Sequence, residues 1–360
     1  MNRLVIGSPD KSNLLLTFMQ EDFERGFLLI DPDGRLAEVA ANTIPPNFTQ
    51  HVFYLDPSDL KHPPGLNVLA GIAPDDRHPL AENICAYFEA MWPDGWGARS
   101  NYILLNCLRL LLDTPGSTFL GIPKLLTDIG YRTRCKGHCT DPMVLRFWEQ
   151  EFEAWDEKFR REAIAPLQNK LGALLTSPTI RNIVGQQHST FSLEKDKIII
   201  ANLDRAKLGQ QTAFLLSSLL IARSRGPVYI NDLGFLASEH LASLLPQERF
   251  TLSLRFLDEL PKKLQQGVLT IEEKYVFKTN REDAERLAFY VGVMNPSMIM
   301  DLDADTVRTT QGKATVQPMK SLKRLAAIRK RSRACHTRPR LKVERAVRRF
   351  LDSARFPKAS

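Results

Sequence analysis

The sequence predicts an α/β fold, a mostly parallel sheet with helices on both faces, carrying an all-helical insertion and a basic C-terminal tail. Three observations support this. Seven apolar runs of strand length recur along the chain, helix-length amphipathic segments separate several of them, and the runs are continuous rather than alternating in their apolarity. Strands that alternate with helices imply parallel neighbours joined by crossovers. Continuous apolarity implies that both faces of the sheet are covered.

In chain order the strand runs occupy residues 4–6, 27–30, 52–55, 198–201, 228–230, 252–254 and 275–277. Between residues 79 and 189 no such run occurs, while apolar positions recur at helical spacing through 101–112 and 142–170. This stretch is expected as a helical insertion (79–189) between two parts of the α/β core (1–78 and 190–318). Beyond residue 318 the alternation stops and a basic tail (319–360) is expected. Turns are marked by Asp31-Pro32-Asp33-Gly34, Trp92-Pro93-Asp94-Gly95 and Asp113-Thr114-Pro115-Gly116.

With 360 residues, 43% of them hydrophobic, the chain can bury a full core. No apolar stretch approaches the roughly 20 residues needed to cross a bilayer. Residues 1–7 run straight into a strand, without the basic flank and long apolar region of a signal peptide, so a soluble cytoplasmic protein is expected. The five scattered cysteines are expected to be reduced. Cys135, His138 and Cys139 cluster, but the neighbouring sequence offers no fourth ligand for tetrahedral zinc. The aromatic residues Phe147, Trp148, Phe152, Trp155 and Phe159 mostly trace one helix face, the pattern of packing rather than base stacking.

Charge is unevenly placed. Residues 320–360 hold 15 Lys and Arg against 2 Asp and Glu, a net +13 that leaves −5 for the remainder of a +8 chain. Within this segment Lys320, Lys323, Arg324, Arg329, Lys330, Arg331 and Arg333 surround Leu322, Leu325 and Ile328, which are spaced by three. A basic amphipathic helix of this kind suits the phosphates of DNA or RNA, and less well an acidic membrane surface. The plain alternative is a solubilising tail without structure.

Several segments, taken in order, resemble the ATPase domain shared by the HerA helicases and the TraD-like coupling proteins of conjugative type IV secretion, within the FtsK-HerA superfamily. They are Leu4-Val-Ile-Gly-Ser-Pro-Asp-Lys-Ser-Asn, Leu29-Ile-Asp-Pro-Asp-Gly, Val52-Phe-Tyr-Leu-Asp-Pro-Ser-Asp, Trp96-Gly-Ala-Arg-Ser-Asn-Tyr, Thr140-Asp-Pro, Ile200-Ala-Asn-Leu and Val228-Tyr-Ile-Asn-Asp-Leu. The resemblance spans about residues 3–300. It implies a RecA-like P-loop NTPase core, ATP and Mg²⁺ as cofactors, DNA as partner, and a homo- or hetero-oligomeric ring.

The same resemblance assigns sites and shows where the chain departs from the pattern. Gly7, Lys11 and Ser12 match the phosphate-binding loop, with Ser12 also a Mg²⁺ ligand, but only Ser8, Pro9 and Asp10 separate Gly7 from Lys11 where five residues are usual. Pro9 lacks an N–H. Asp10 facing a phosphate at about 4 Å costs roughly 4 kcal/mol at an effective dielectric of about 20, more than the roughly 1.5–3 kcal/mol of one charged hydrogen bond. Asn231 and Asp232 stand where relatives carry Asp-Glu to hold Mg²⁺ and activate water. Arg255 replaces a Gln that senses the γ-phosphate; an ion pair with Asp232 inside the site is one reading of it, and an ordinary surface arginine is the alternative. Arg99 matches a position that reaches toward a neighbouring subunit's nucleotide, with an ordinary helix-start arginine as the alternative. The expected outcome is a DNA-translocase or helicase-like protein that binds nucleic acid with lost or weak ATP hydrolysis. The alternatives are an active DNA-stimulated motor and a non-enzymatic nucleic-acid-binding scaffold.

Overall fold

The computed structural model describes residues 1–8, 11–193 and 196–353. The chain divides into two compact units, one formed by Met1–Asp56 with Leu193–Ser332 and the other by Pro57–Ser192 with Arg333–Ser360.

In the first unit, nine strands among the described residues form one sheet: β1 (Arg3–Ile6), β2 (Phe27–Asp31), β3 (Val52–Leu55), β4 (Ile198–Asn202), β5 (Val228–Ile230), β6 (Phe250–Leu254), β7 (Glu273–Val276), β8 (Thr306–Thr309) and β9 (Gly312–Thr315). Their order is β3-β4-β2-β5-β6-β1-β7-β8-β9. Each of the seven strand runs read from the sequence becomes a strand, and β1 to β7 pair in parallel. Register is set centrally by Leu29 opposite Ile200 and Tyr229, and by Leu4 opposite Leu252. Every residue of β2 to β6 is buried, as a sheet covered on both faces requires. The helix Ser12–Glu21 turns Leu14, Leu15, Leu16, Phe18 and Met19 inward, and Arg35–Thr43 turns in Leu36, Ala37, Ala40 and Ala41. Both join one cluster with Val5, Leu29, Ile198 and Tyr229.

The two edges of the sheet are finished differently. At one end β8 and β9 form an antiparallel hairpin that the sequence reading missed, pairing Thr306 with Thr315 and Thr309 with Gly312. Its strands are polar and partly exposed, so no apolar run marks them, and Gly312 at φ +124° accommodates the turn. At the other end the outer strand is β3, where an unpaired strand edge would invite foreign strands. There the Tyr54 N–H donates to Ser332 Oγ at 2.9 Å.

Ser332 belongs to the segment set apart as a basic tail. Its described part folds into two helices, Leu325–His336 and Arg340–Asp352. Ile328 is 1% exposed and lies in the same core cluster as Val52 and Tyr54. Arg324 donates to Thr49 Oγ1 at 2.6 Å and Arg331 to the Thr49 carbonyl at 3.1 Å. Arg329 reaches Glu38 Oε1 at 3.0 Å and Tyr54 Oη at 3.2 Å, with its guanidinium 4.9 Å from the centre of the Tyr54 ring.

The second unit is helical among its described residues, with Pro74–Met91, Ala98–Asp113, Gly121–Thr127, Ile129–Lys136, Pro142–Arg146, Glu157–Leu175 and Pro178–Val184 as its main elements. Asp128, Asp141, Asp156 and Ser177 accept backbone N–H groups at helix starts. The helical spacing over 142–170 is carried by more than one element, passing from Pro142–Arg146 through a π-helical turn, Phe147–Phe152, to Glu157–Leu175 capped by Asp156. Phe147, Trp148 and Phe152 are buried there, so these aromatics serve packing. The five cysteines are free thiols, four of them buried. No helix among the described residues is long and apolar enough to cross a membrane.

Because Ile328 fills the core beside β3, Ile328→Ala should destabilise the protein by about 2–5 kcal/mol. Urea unfolding followed by fluorescence checks this, and an unchanged midpoint would show that the segment does not pack there.

Candidate functional site

Since β1 to β7 run parallel, their carboxyl ends share one side of the sheet, the side on which open α/β sheets bind ligands. A cleft of about 660 Å³ opens there within the first unit. Lys11, Arg35, Arg205 and Arg255 bring positive charge to its walls, Asp33, Asp232 and Glu259 bring negative charge, and Ser12, Asn231 and Ser253 complete its polar lining.

The loop after β1 turns several of its polar groups toward the protein. Gly7 has φ +113°, and a Cβ added there would lie 2.8 Å from the carbonyl oxygens of Phe277 and Lys278, so only glycine fits. The Gly7 N–H donates to the Leu254 carbonyl at 3.2 Å and the Ser8 N–H to the Lys278 carbonyl at 2.8 Å. Lys11 Nζ folds back onto the Gly7 carbonyl at 2.7 Å. Two loop amides and the lysine are thus engaged internally, while Ser12 opens the helix Ser12–Glu21 at the cleft wall. Pro9 and Asp10, which carry two of the expected departures, lie outside the described residues.

The pairing of β2 with β5 sets Ile30 beside Ile230 and brings the next residues, Asp31 and Asn231, into contact. Asp31 is fully buried. Its Oδ2 accepts the Ala37 N–H at 2.7 Å, and its Oδ1 accepts the Asn231 amide at 2.9 Å and the Asp33 N–H at 3.3 Å. Burial pushes its carboxyl above the usual range, while the donated hydrogen bonds from Asn231, Ala37 and Asp33 pull the other way. Asn231, expected as a metal ligand, therefore has its amide nitrogen committed to Asp31.

Asp232 sits in the left-handed region at φ 59°. Of the two readings of Arg255, the ion pair with Asp232 does not form and the exposed surface arginine is found. Arg205 Nη2 instead holds Asp232 Oδ2 at 2.8 Å and Asp33 Oδ1 at 3.1 Å. Arg205 starts the short helix Arg205–Leu208, which Asp204 caps, and its own N–H donates to the Pro32 carbonyl at 2.8 Å. This backbone anchor holds the guanidinium over the end of β2, within reach of the end of β5. Arg255 is exposed beyond β6, and its backbone N–H donates to Glu259 Oε2 at 3.4 Å.

Glu259 and Ser253, like Arg205 and Asp33, were not singled out in the sequence. Glu259 and Asp232 flank Gly234, where an added Cβ would lie 3.2 Å from Glu259 and 3.5 Å from Asp232 Oδ1. Desolvation raises the Glu259 carboxyl above its ordinary value, the nearby Asp232 charge raises it further, and the Arg255 N–H opposes both. The Ser253 hydroxyl is buried without a hydrogen-bond partner among the described residues. No local motif marks either residue, because both reach the cleft through sheet order.

The other sequence-predicted residues are not among those lining this cleft. Arg99, in the second unit, is exposed in the first turn of Ala98–Asp113 with its guanidinium 5.1 Å from the centre of the Phe159 ring. Lys320, Lys323 and Lys330 are exposed, Arg324, Arg329 and Arg331 hold the partners given above, and Arg333 pairs with Asp59 at 2.8 Å. Among the described residues, no group of three or more His, Cys, Asp or Glu is arranged to hold a metal ion.

The sequence matches no protein-family model and no curated protein. Solved structures do match. VirB4 of Thermoanaerobacter pseudethanolicus aligns with a TM-score of 0.55 and 12% identity over 89% of each chain. The bacterial conjugative coupling protein TrwBΔN70, in an unbound form, aligns at 0.56 and 14% over 90% of this chain and 87% of that one. Plasmid coupling protein TrwB in complex with ADP and Mg²⁺ gives 0.56 and 14% over 89% and 86%. The fold is thus the RecA-like P-loop NTPase core with a helical insertion, shared across nearly the whole length.

A double-mutant cycle separates the two possible partners of Asp232. Arg205→Met with Asp232→Asn should show a stability coupling of up to about 1 kcal/mol, as for a partly exposed pair, and Arg255→Met with Asp232→Asn none. Gly7→Ala should cost about 1–3 kcal/mol from its backbone conformation alone. A neutral result in denaturant unfolding would show that the loop is not held as described.

Proposed function

We propose that the chain, built on the fold of VirB4 and TrwB, is a DNA-translocase-like protein associated with DNA transfer or mobile elements, with ATP hydrolysis lost or weak. The observation that carries this reading is the commitment of both residues at the end of β5. The Asn231 amide serves Asp31 and the Asp232 carboxylate serves Arg205. Mg²⁺ at phosphate sites is ordinarily held by one or two carboxylates and by phosphate oxygens. The cleft offers the Ser12 hydroxyl, the neutral Asn231 carbonyl oxygen and an Asp232 whose charge is already neutralised, so its residues fit Mg²⁺ poorly. Phosphate fits better, since Lys11, Arg35, Arg205 and Arg255 all line the cleft. Lys11 and Arg205 would have to exchange an internal partner for it.

In the same proposal, nucleic acid binds through the C-terminal basic segment, the protein works in the cytoplasm, and it joins a homo- or hetero-oligomeric ring in which Arg99 faces a neighbour's nucleotide. An intact paralogous subunit would then supply turnover.

A second reading, an active DNA-stimulated motor, is favoured by Glu259 and Ser253. Glu259 brings a carboxyl of raised pKa beside Asp232 from a different loop, in place of the glutamate missing from β5. Ser253 offers a buried unpartnered hydroxyl, a group that costs about 1–3 kcal/mol until a ligand or water satisfies it.

Calorimetry with ATP and Mg²⁺, followed by turnover with and without DNA, decides between them. The first reading expects at most weak nucleotide binding and no turnover that depends on Lys11. Turnover abolished by both Lys11→Ala and Glu259→Gln would establish the second.

A further inference from the structure

We propose that the principal polyanion-binding surface is the solvent face of the helix Arg340–Asp352, and that it takes the phosphate backbone of double-stranded DNA. This rests on the reading that the chain binds nucleic acid, and it moves the contact away from residues 320–333, where the sequence alone placed it.

The two basic helices differ in what their cations do. In residues 324–333, Arg324, Arg329, Arg331 and Arg333 each hold a protein acceptor. Those charges fasten the segment down, and a phosphate would have to displace the acceptors. In Arg340–Asp352 the apolar stripe is buried instead. Val343 and Val347 are 2% and 4% exposed against Leu120, and Phe350 packs edge-on to Tyr131 with ring centroids 5.8 Å apart. At 100° per residue these three positions centre on one side, which fixes Lys342, Arg345, Arg348 and Arg349 on the other. All four are exposed, and among the described residues none of their side chains has a hydrogen-bond or ion-pair partner. Arg340 is excluded, because it pairs with Glu344 at 2.7 Å.

The helix is also held firmly in place. Lys124 Nζ donates to the Phe350 carbonyl at 2.6 Å and to Ser353 Oγ at 3.3 Å, satisfying its C-terminal end, where a cation complements the macrodipole. The charges therefore sit on an ordered element, so little ordering entropy is lost on binding.

Spacing and chemistry select the occupant. From Lys342 to Arg349 the helix rises about 10 Å, against one duplex charge per about 1.7 Å of axis, so the duplex offers several phosphates within the span of the four cations. Single strands are gripped mainly by exposed aromatics, and this face presents none, Phe350 being turned inward. Binding as an amphipathic helix to a membrane needs a free apolar face, and here that stripe is buried in the protein.

The test uses the full chain, a fluorescent 30-base-pair duplex and anisotropy at several salt concentrations. Four phosphate contacts give a slope of log affinity against log salt near about −3.6, a loss of roughly 10²-fold between 50 and 200 mM. Replacing Lys342, Arg345, Arg348 and Arg349 together by Gln should weaken binding at least tenfold and flatten the slope by about 3, with an unchanged melting temperature. Arg345→Lys, Arg348→Lys and Arg349→Lys together should retain the wild-type slope, which keeps the test decisive if the Gln variant folds poorly. Changing Lys320, Lys323 and Lys330 to Gln should alter affinity by less than threefold.

Duplex binding that survives the four Gln changes, or that is lost instead with the three Lys changes, overturns this placement while leaving nucleic-acid binding intact. No duplex binding by the wild type overturns both, as does binding confined to single strands or to anionic phosphatidylserine vesicles. Nucleotide calorimetry on the same variants reports on the cleft independently, and no change is expected there.

Discussion

Asp31 holds a carboxyl group out of water at the carboxyl end of β2, and the cleft around it is organised by the need to satisfy that group. A buried carboxylate without partners is very costly. Three donors meet this one, each from a different place: the first turn of the helix Arg35–Thr43, the turn at Asp33, and Asn231 at the end of β5. The Ala37 N–H is itself one of the unpaired amides at a helix start, so a single contact settles two deficits. The same arrangement explains residue 231. An acid there would face Asp31 at hydrogen-bond distance, and two like charges about 4 Å apart cost roughly 4 kcal/mol at an effective dielectric of about 20. Asparagine, which departs from the metal-binding pattern when residue 231 is considered alone, is the right partner once Asp31 is in place.

With Asn231 occupied, the remaining charges of the cleft balance locally. Arg205 divides its guanidinium between Asp33 and Asp232, and these side chains keep about a third of their surface exposed. Such pairs contribute little to stability individually. Their effect is on shape and potential, because Arg205 connects the ends of β2 and β5 and cancels charge that a cation would otherwise meet. An entering phosphate would find cations on several walls and would compete with carboxylates for one of them.

The sequence revealed those parts of the structure that depend on burial. β1 to β7 were legible because strands enclosed on both faces must be continuously apolar, and 27–30 and 198–201 are. The β8–β9 hairpin was not, because an edge pair such as Arg308 and Lys313 reaches solvent and needs no apolar run. In the cleft, Lys11, Ser12, Asn231 and Asp232 were legible through the resemblance of their segments to known nucleotide motifs. The partner of Asp232 was not found. Arg255 follows β6, next to β5 in the sheet, whereas Arg205 follows β4, two strands away, and reaches across only because its backbone is tied to Pro32. Sheet order is a long-range property that no local spacing encodes. Basic composition likewise located the charge of the C-terminal segment but not its distribution, since the division between engaged and free cations follows from which helix face finds a core to pack on.

The placement of β1 also bears on how the chain is made. Its hydrogen-bonding neighbours are β6 and β7, more than 240 residues later, and β2 waits for β4 and β5. During synthesis the first three strands emerge without any of their sheet partners, and Tyr54 in β3 gains the Ser332 hydroxyl only 278 residues later. Contacts of such sequence separation are slow to form, and unpaired apolar strands are prone to aggregate meanwhile. A chain that ends before residue 332 therefore leaves the outer edge of β3 without the Ser332 hydroxyl.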